Sequence, residues 1–123
     1  MPATEQTHTI FAYQYRDASN YKAHGVLLLR GAFTPEQQAE IEHCCDGTEY
    51  FVAEQLNIPA LYPLLWTETC GRNEDDHAWH EFLGLRTPSI EERTNHKEWG
   101  ALVDLVKQFE AVSTWDLNLS PNA

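Results

Sequence analysis

The sequence is poor in basic residues. Its 123 residues include 8 lysines and arginines against 19 aspartates and glutamates, which gives a formal net charge of -11 at pH 7. A surface of this sign repels nucleic-acid phosphates and anionic lipid headgroups, so we expect neither direct nucleic-acid binding nor attachment to a membrane surface. A protein with a basic surface is the more natural partner.

Paired cysteines and long apolar runs are lacking as well. Of the three cysteines, two are adjacent at Cys44 and Cys45, which is not the framework that small secreted domains use for disulfides. The N-terminal residues lack the basic and apolar regions of a signal peptide, and no apolar run approaches the length of a membrane span. These features predict a cytoplasmic location.

Catalytic signatures are the third absence. The sequence has no Gly-x-Ser-x-Gly motif and no phosphate-binding loop. Cys45 is expected near the C-terminal end of a helix, where the helix dipole disfavours a thiolate. The sequence therefore favours a protein without enzymatic activity, and no cofactor is predicted.

The chain is nevertheless well suited to folding. Its 42% hydrophobic residues and four tryptophans supply enough apolar area to offset the loss of chain entropy. The length is that of one ordinary domain. We predict a single domain over residues 1–123, with flexible ends at residues 1–8 and 118–123.

Three strands are predicted in the first half of the chain. Phe11, Tyr13 and Tyr15 lie on one side of a period-2 pattern in residues 9–16, which is typical of a strand with one aromatic face. The apolar run at residues 26–29 predicts a central strand, joined to the first as a hairpin. A third strand is predicted at residues 49–53.

Two helices are predicted. Thr34 and Gln37 have the spacing of a capping box, so a helix is expected to start there and to end near Cys45. A second capping box, Asn95 with Glu98, predicts a final helix that buries one stripe: Trp99, Leu102, Val103, Val106 and Phe109. Residues 54–93 are expected to be mainly loop.

These elements define the fold class. We predict an α+β domain with a small, mainly antiparallel sheet and two helices packed on one face, in the order β-β-α-β-loop-α. A homodimer through an open sheet edge is as compatible with this arrangement as a monomer.

Residues 74–85 hold the densest group of chemically active side chains. His77, His80, Glu81 and the upstream Cys70 are all ligand types that zinc accepts, and either histidine could act as a base beside a carboxylate. However, positions three apart on a strand point to opposite faces, and the paired ligand spacing of structural zinc sites is missing. A metal-dependent or small-molecule site here is the alternative hypothesis.

The distribution of acidic residues suggests a different site. No lysine or arginine occurs between Arg30 and Arg72, whereas acidic residues are frequent there. This stretch is either a solvated face that keeps the protein soluble or a surface that docks a basic partner, as inhibitors and immunity proteins do. The candidate partner-binding residues are Glu36, Glu40, Glu42, Asp46, Glu49, Asp75, Asp76 and Trp79.

Two motifs also carry a resemblance. The segments Tyr15-Arg-Asp-Ala-Ser-Asn-Tyr-Lys22 and Glu74-Asp-Asp-His-Ala-Trp-His-Glu81 resemble those of a group of small bacterial proteins described as hypothetical. The resemblance implies a bacterial, cytoplasmic, stand-alone domain and brings no assigned activity with it.

On the distribution of acidic residues, the leading hypothesis is a non-catalytic acidic domain that binds a basic protein.

Overall fold

The structure, a computed structural model, describes residues 7–16, 22–62, 77 and 79–119. The fold is α+β, as predicted. In chain order the described helices and strands are β1 (His8–Arg16), β2 (Lys22–Arg30), α1 (Pro35–Cys44), β3 (Tyr50–Phe51), β4 (His80–Arg86), α2 (Ile90–Asn95), β5 (Glu98–Ala101) and α3 (Leu102–Glu110). Two 3₁₀ turns cover Ala53–Leu56 and Leu117–Leu119.

The five strands form one sheet in the order β3-β4-β1-β2-β5. β1 pairs antiparallel with both β2 and β4, and β3 pairs antiparallel with β4. Only β5 runs parallel to its neighbour, β2, among the strands that the structure describes. The predicted pairing of the first two strands and the mainly antiparallel sheet are thus confirmed.

β1 divides the sheet into two chemically different faces. Phe11, Tyr13 and Tyr15 are buried on the face that α1 and α3 cover, as the alternating pattern predicted. The ring of Phe11 lies at the centre, with its centroid 4.9 to 6.0 Å from the rings of four other aromatic residues. Burying a phenylalanine side chain stabilises a fold by about 1.5–3 kcal/mol. Gln14 and Arg16 alternate with these residues and therefore point to the opposite face.

The start of α1 agrees with its sequence signal. The Thr34 hydroxyl accepts a hydrogen bond from the Gln37 backbone N–H at 3.2 Å, and the Thr34 N–H donates to the Gln37 side-chain oxygen at 2.9 Å. Both bonds satisfy amides that the first helical turn leaves unpaired. Ile41 and Cys45 face the core. The opposite side of the helix faces solvent.

The prediction of a loop through residues 54–93 was wrong at β4 and α2. β4 was missed because a bulge at Leu83, opposite Ala12 and Tyr13 of β1, interrupts its alternating pattern. Leu83 is left 51% exposed there, and Gly84 takes a φ of 140°, which glycine alone adopts easily. The side-chain oxygen of Gln38 on α1 accepts a hydrogen bond from the Leu85 N–H at 3.0 Å, so the helix satisfies part of the edge of β4.

The prediction that the last helix starts at Asn95 was also wrong. Asn95 ends α2, Glu98–Ala101 pairs with β2 as β5, and α3 begins only at Leu102. The spacing of Trp99 fitted a helical stripe by coincidence, and Val103 is 52% exposed. Leu102, Val106 and Phe109 are buried, as predicted. No helix among the described residues is long and apolar enough to cross a bilayer.

Candidate functional site

A surface pocket of about 370 Å³ opens where β1, β3 and β4 meet. Its walls are formed by Arg16, Asp46, Tyr50, His77, Trp79 and Glu81. The strand register explains this convergence, because Glu81 lies opposite Gln14 on one side and opposite Tyr50 on the other. Directly opposed residues of antiparallel strands point to the same face. The pocket therefore lies on the sheet face that does not pack against α1 and α3.

Glu81, which forms one wall of the pocket, is a buried carboxylate that accepts hydrogen bonds from two side chains. Gln14 Nε2 donates to one carboxylate oxygen at 2.7 Å and Arg16 donates to the other at 2.8 Å. Glu81 is only 8% exposed, and a buried charge of this kind is tolerated when it is paired and hydrogen-bonded. The hydrogen bond to Glu81 and its negative charge raise the pKa of Arg16. The Arg16 charge is thus balanced within the pocket.

His77 holds the pocket wall in place through both ring nitrogens. Its Nδ1 accepts a hydrogen bond from the Trp79 backbone N–H at 3.0 Å, so Nε2 carries the proton and donates to the Arg16 carbonyl oxygen at 2.6 Å. The His77 N–H in turn donates to the Tyr15 hydroxyl at 3.1 Å. To bind a metal or to accept a substrate proton, the ring would have to break one of these bonds.

His80 points away from this pocket into the core. It is fully buried, and its Nε2 accepts a hydrogen bond from the Leu61 N–H at 3.0 Å. Four aromatic rings surround it, those of Tyr13, Tyr15, Phe51 and Tyr62. His77 lines the pocket and His80 is enclosed in the core, with the ring of Tyr15 5.0 Å from the His77 ring and 5.3 Å from the His80 ring. The argument from strand spacing does not apply to this pair, because His77 precedes β4.

Two of the four residues proposed as metal ligands lie at the same pocket. The structure brings His77 and Glu81 to one pocket and excludes His80 from it. Within the described part of the chain, no group of three or more histidine, cysteine or acidic side chains is arranged to hold a metal ion. Cys70, the fourth candidate ligand, lies outside the described residues, so this hypothesis stays a prediction.

The opposite rim of the pocket is aromatic and acidic. Tyr50 and Trp79 are half-buried and meet edge to face, with ring centroids 6.3 Å apart. Asp46 and Tyr50 exchange two backbone hydrogen bonds, of 2.8 and 2.9 Å, which close a tight turn that contains Gly47 at a φ of 59°. A hydrogen bond to Glu49 and its negative charge raise the pKa of the Tyr50 hydroxyl.

Five of the predicted partner-binding carboxylates form what we call the acidic surface: Glu36, Glu40, Glu42, Asp46 and Glu49. Glu36 is exposed on α1, Glu40 and Glu42 are half-buried there, and Asp46 and Glu49 lie in the exposed turn before β3. None of the five makes an ion pair with an arginine, lysine or histidine that the structure describes. Asp75 and Asp76, also predicted to belong here, fall outside the described residues.

The cysteines beside this surface are poor nucleophiles. Burial raises the pKa of Cys45 to about 12, and burial together with a hydrogen bond to Glu40 raises that of Cys44 to about 11. Both thiols therefore stay protonated at neutral pH, in the direction that the helix position of Cys45 predicted.

Sequence reasoning missed Gln14 and Arg16 as parts of this region. Their signal was present, because both are polar residues that alternate with the aromatic residues of β1. Without β4, however, no partner for that polar face was visible.

The chain matches no known protein family model, no curated protein and no solved structure.

Proposed function

We propose that this protein is a non-catalytic acidic interaction domain that binds a basic protein partner, as inhibitors and immunity proteins do. The observation that carries the proposal is the acidic surface, whose five carboxylates are left without cationic partners by the described part of the chain. Carboxylates that a protein does not neutralise internally are available to a partner of opposite charge.

The energetics of α1 support this function. Glu36 and Glu40 are four residues apart on one side of the helix, and like charges at this spacing destabilise a helix by about 0.2–0.5 kcal/mol. Glu36 recovers some of this cost because it lies in the first helical turn, at the positive end of the helix dipole. Glu40 and Glu42 lie beyond this turn and lack its compensation, and the hydrogen bond that Glu40 accepts from the Cys44 thiol is weak, which fits a role outside the fold.

The geometry of the histidines supports a function without catalysis. Both nitrogens of His77 are occupied by backbone groups, and His80 is buried among aromatic rings. These contacts are those of residues that stabilise the fold. The net charge of -11 favours a protein partner over nucleic acid or a membrane surface. The pattern of cysteines fits a cytoplasmic setting, in which the domain acts as a monomer or a homodimer.

Charge reversal tests the proposal. The native partner is first identified by affinity capture and mass spectrometry, and its dissociation constant is then measured with the Glu40→Lys/Glu42→Lys variant. We expect binding to weaken by at least about a hundredfold, since two favourable charge contacts become repulsive. Circular dichroism should show an unchanged fold, because both side chains are partly exposed and the hydrogen bond that Glu40 accepts from the Cys44 thiol is weak.

A matched control separates local contacts from net charge. The Glu91→Lys/Asp104→Lys variant changes the net charge by the same amount, at exposed positions on α2 and α3. We expect this variant to bind the partner within a few-fold of the unmodified protein. Equal effects of the two double variants, or no effect of either, would contradict the proposal.

A further inference from the structure

The pocket at β1, β3 and β4 borders the acidic surface, because Asp46 belongs to both. Among its wall residues, Glu81 neutralises Arg16 through a bond of 2.8 Å. The carboxylate of Asp46 remains, and Glu49 adds a second negative charge beside Tyr50. The local balance is therefore negative, in a protein whose net charge is also negative. An anionic ligand is disfavoured here, and a cationic one is favoured.

Aromatic rings on the rim add a second preference. Tyr50 and Trp79 both line the pocket, and their edge-to-face contact, with 64° between the ring planes, leaves the ring faces directed to different sides. A cation over the face of tryptophan or tyrosine is attracted by the ring quadrupole. Guanidinium gains more than ammonium from such a wall, because its planar group stacks on the ring while its N–H groups pair with a carboxylate.

The rim is also held in position before any ligand binds. The Trp79 N–H is bonded to His77, which is bonded to the Arg16 carbonyl, and Tyr50 is fixed by its paired backbone bonds with Asp46. A preformed site loses less entropy on binding than a mobile one. The volume of about 370 Å³ lies near the lower end of the range for ligand pockets, roughly 300–1,000 Å³, which suits one side chain.

We propose that this pocket receives an arginine side chain of the basic partner, with the guanidinium stacked on Trp79 or Tyr50 and paired with Asp46. This inference rests on the proposed function and adds the anchor residue to it. A buried arginine at the edge of a charged surface is the type of contact that dominates binding energy at protein interfaces.

The direct test uses small probes. The full-length protein, labelled with ¹⁵N, is titrated with N-acetyl-arginine amide and with N-acetyl-citrulline amide, a neutral compound of nearly the same shape. We expect the arginine probe to shift the Trp79 indole signal and the amides of Asp46 and Tyr50 with a millimolar dissociation constant. We expect the citrulline probe to bind at least about fivefold more weakly, since it lacks the charge. Equal binding of the two probes, or shifts away from the pocket, would overturn the proposal.

Two variants of equal charge change locate the site. Asp46→Asn removes one negative charge at the pocket, and Glu36→Gln removes one at the far end of the acidic surface; both residues are exposed, so neither change disturbs the core. We expect Asp46→Asn to weaken the arginine probe by about fivefold or more and Glu36→Gln by less than twofold. Equal losses would show a diffuse charge effect and overturn the assignment.

The partner itself separates this inference from the proposed function. Loss of partner binding with Glu40→Lys/Glu42→Lys, but none with Asp46→Asn or Trp79→Ala, would overturn the pocket assignment alone. The arginine probe could instead bind while the Glu40→Lys/Glu42→Lys variant still captures the partner with unchanged affinity. This result would contradict the proposed function and leave the pocket assignment standing.

Discussion

At the scale of single residues, Glu81 connects the fold to the pocket. Its two carboxylate oxygens accept hydrogen bonds from Gln14 and Arg16, which orients the arginine along the wall and balances its charge. Replacing the carboxylate would leave the buried amide of Gln14 without its acceptor. It would also remove the ion-pair partner of the Arg16 guanidinium, and both changes affect the same site.

We predict that Glu81→Ala lowers the free energy of unfolding by about 1–3 kcal/mol, the usual cost of an unsatisfied buried polar group. Urea denaturation followed by tryptophan fluorescence measures this change. Glu110→Ala, at an exposed position near the end of α3, is the matched control and should change the stability by less than about 0.5 kcal/mol. A Glu81→Ala variant as stable as this control would show that the buried hydrogen bonds contribute nothing.

At the scale of elements, the ion pair between Arg86 and Glu92 joins the end of β4 to α2. Two parallel N–H···O bonds of 2.7 Å link the guanidinium to the carboxylate, which also accepts a bond from the Ser89 N–H at 3.0 Å. These bonds lower the pKa of Glu92 from 4.5 to about 2, with the hydrogen bond from Arg86 as the largest cause.

The lowered pKa of Glu92 makes the stability of the fold depend on pH. Because the carboxylate is more acidic in the folded state, its contribution to stability is fully present above pH 4.5 and is lost as the pH falls towards about 2. We predict that carboxyl ¹³C NMR shows Glu92 titrating with a midpoint near 2, and that Arg86→Ala moves the midpoint up towards 4.5. A midpoint near 4.5 in the unmodified protein would contradict the geometry of this pair.

Elements with a local signal could be predicted from the sequence, and elements that depend on distant partners could not. The capping box at Thr34 and the alternating aromatic residues of β1 are complete within a few residues, so both were read correctly. β4 is interrupted by the bulge opposite Ala12, and β5 is defined only by its pairing with β2. Strand pairing across such distances leaves little trace in a short stretch of sequence.

The candidate site was predictable to the same extent. The sequence singled out His77, Trp79 and Glu81 by composition, and the structure places all three around one pocket. The sides to which His80 and Glu81 point depend on β4, which was not predicted, so the sequence did not show that His80 is buried in the core while Glu81 lines the pocket. Arg16 and Tyr50 enter the pocket from other strands.

At the scale of the whole molecule, the sheet separates the aromatic core from the candidate pocket. The aromatic core lies between the sheet and the pair α1 and α3, whereas the pocket lies on the other face of the sheet at the end where β1, β3 and β4 meet. The described arginines that form ion pairs do so with Glu81, Glu98 and Glu92, and none of these three carboxylates belongs to the acidic surface. The carboxylates of α1 and of the turn before β3 therefore contribute an unbalanced negative field that extends into solvent.

The association rate constant with the captured partner, measured by stopped flow at increasing ionic strength, tests this field most directly. Long-range attraction between the acidic surface and a basic partner should make that rate constant fall by about tenfold or more between roughly 50 and 500 mM salt, because the screening length shortens severalfold. A rate constant that stays constant over this range would contradict the central claim that the acidic surface steers a basic partner to this protein.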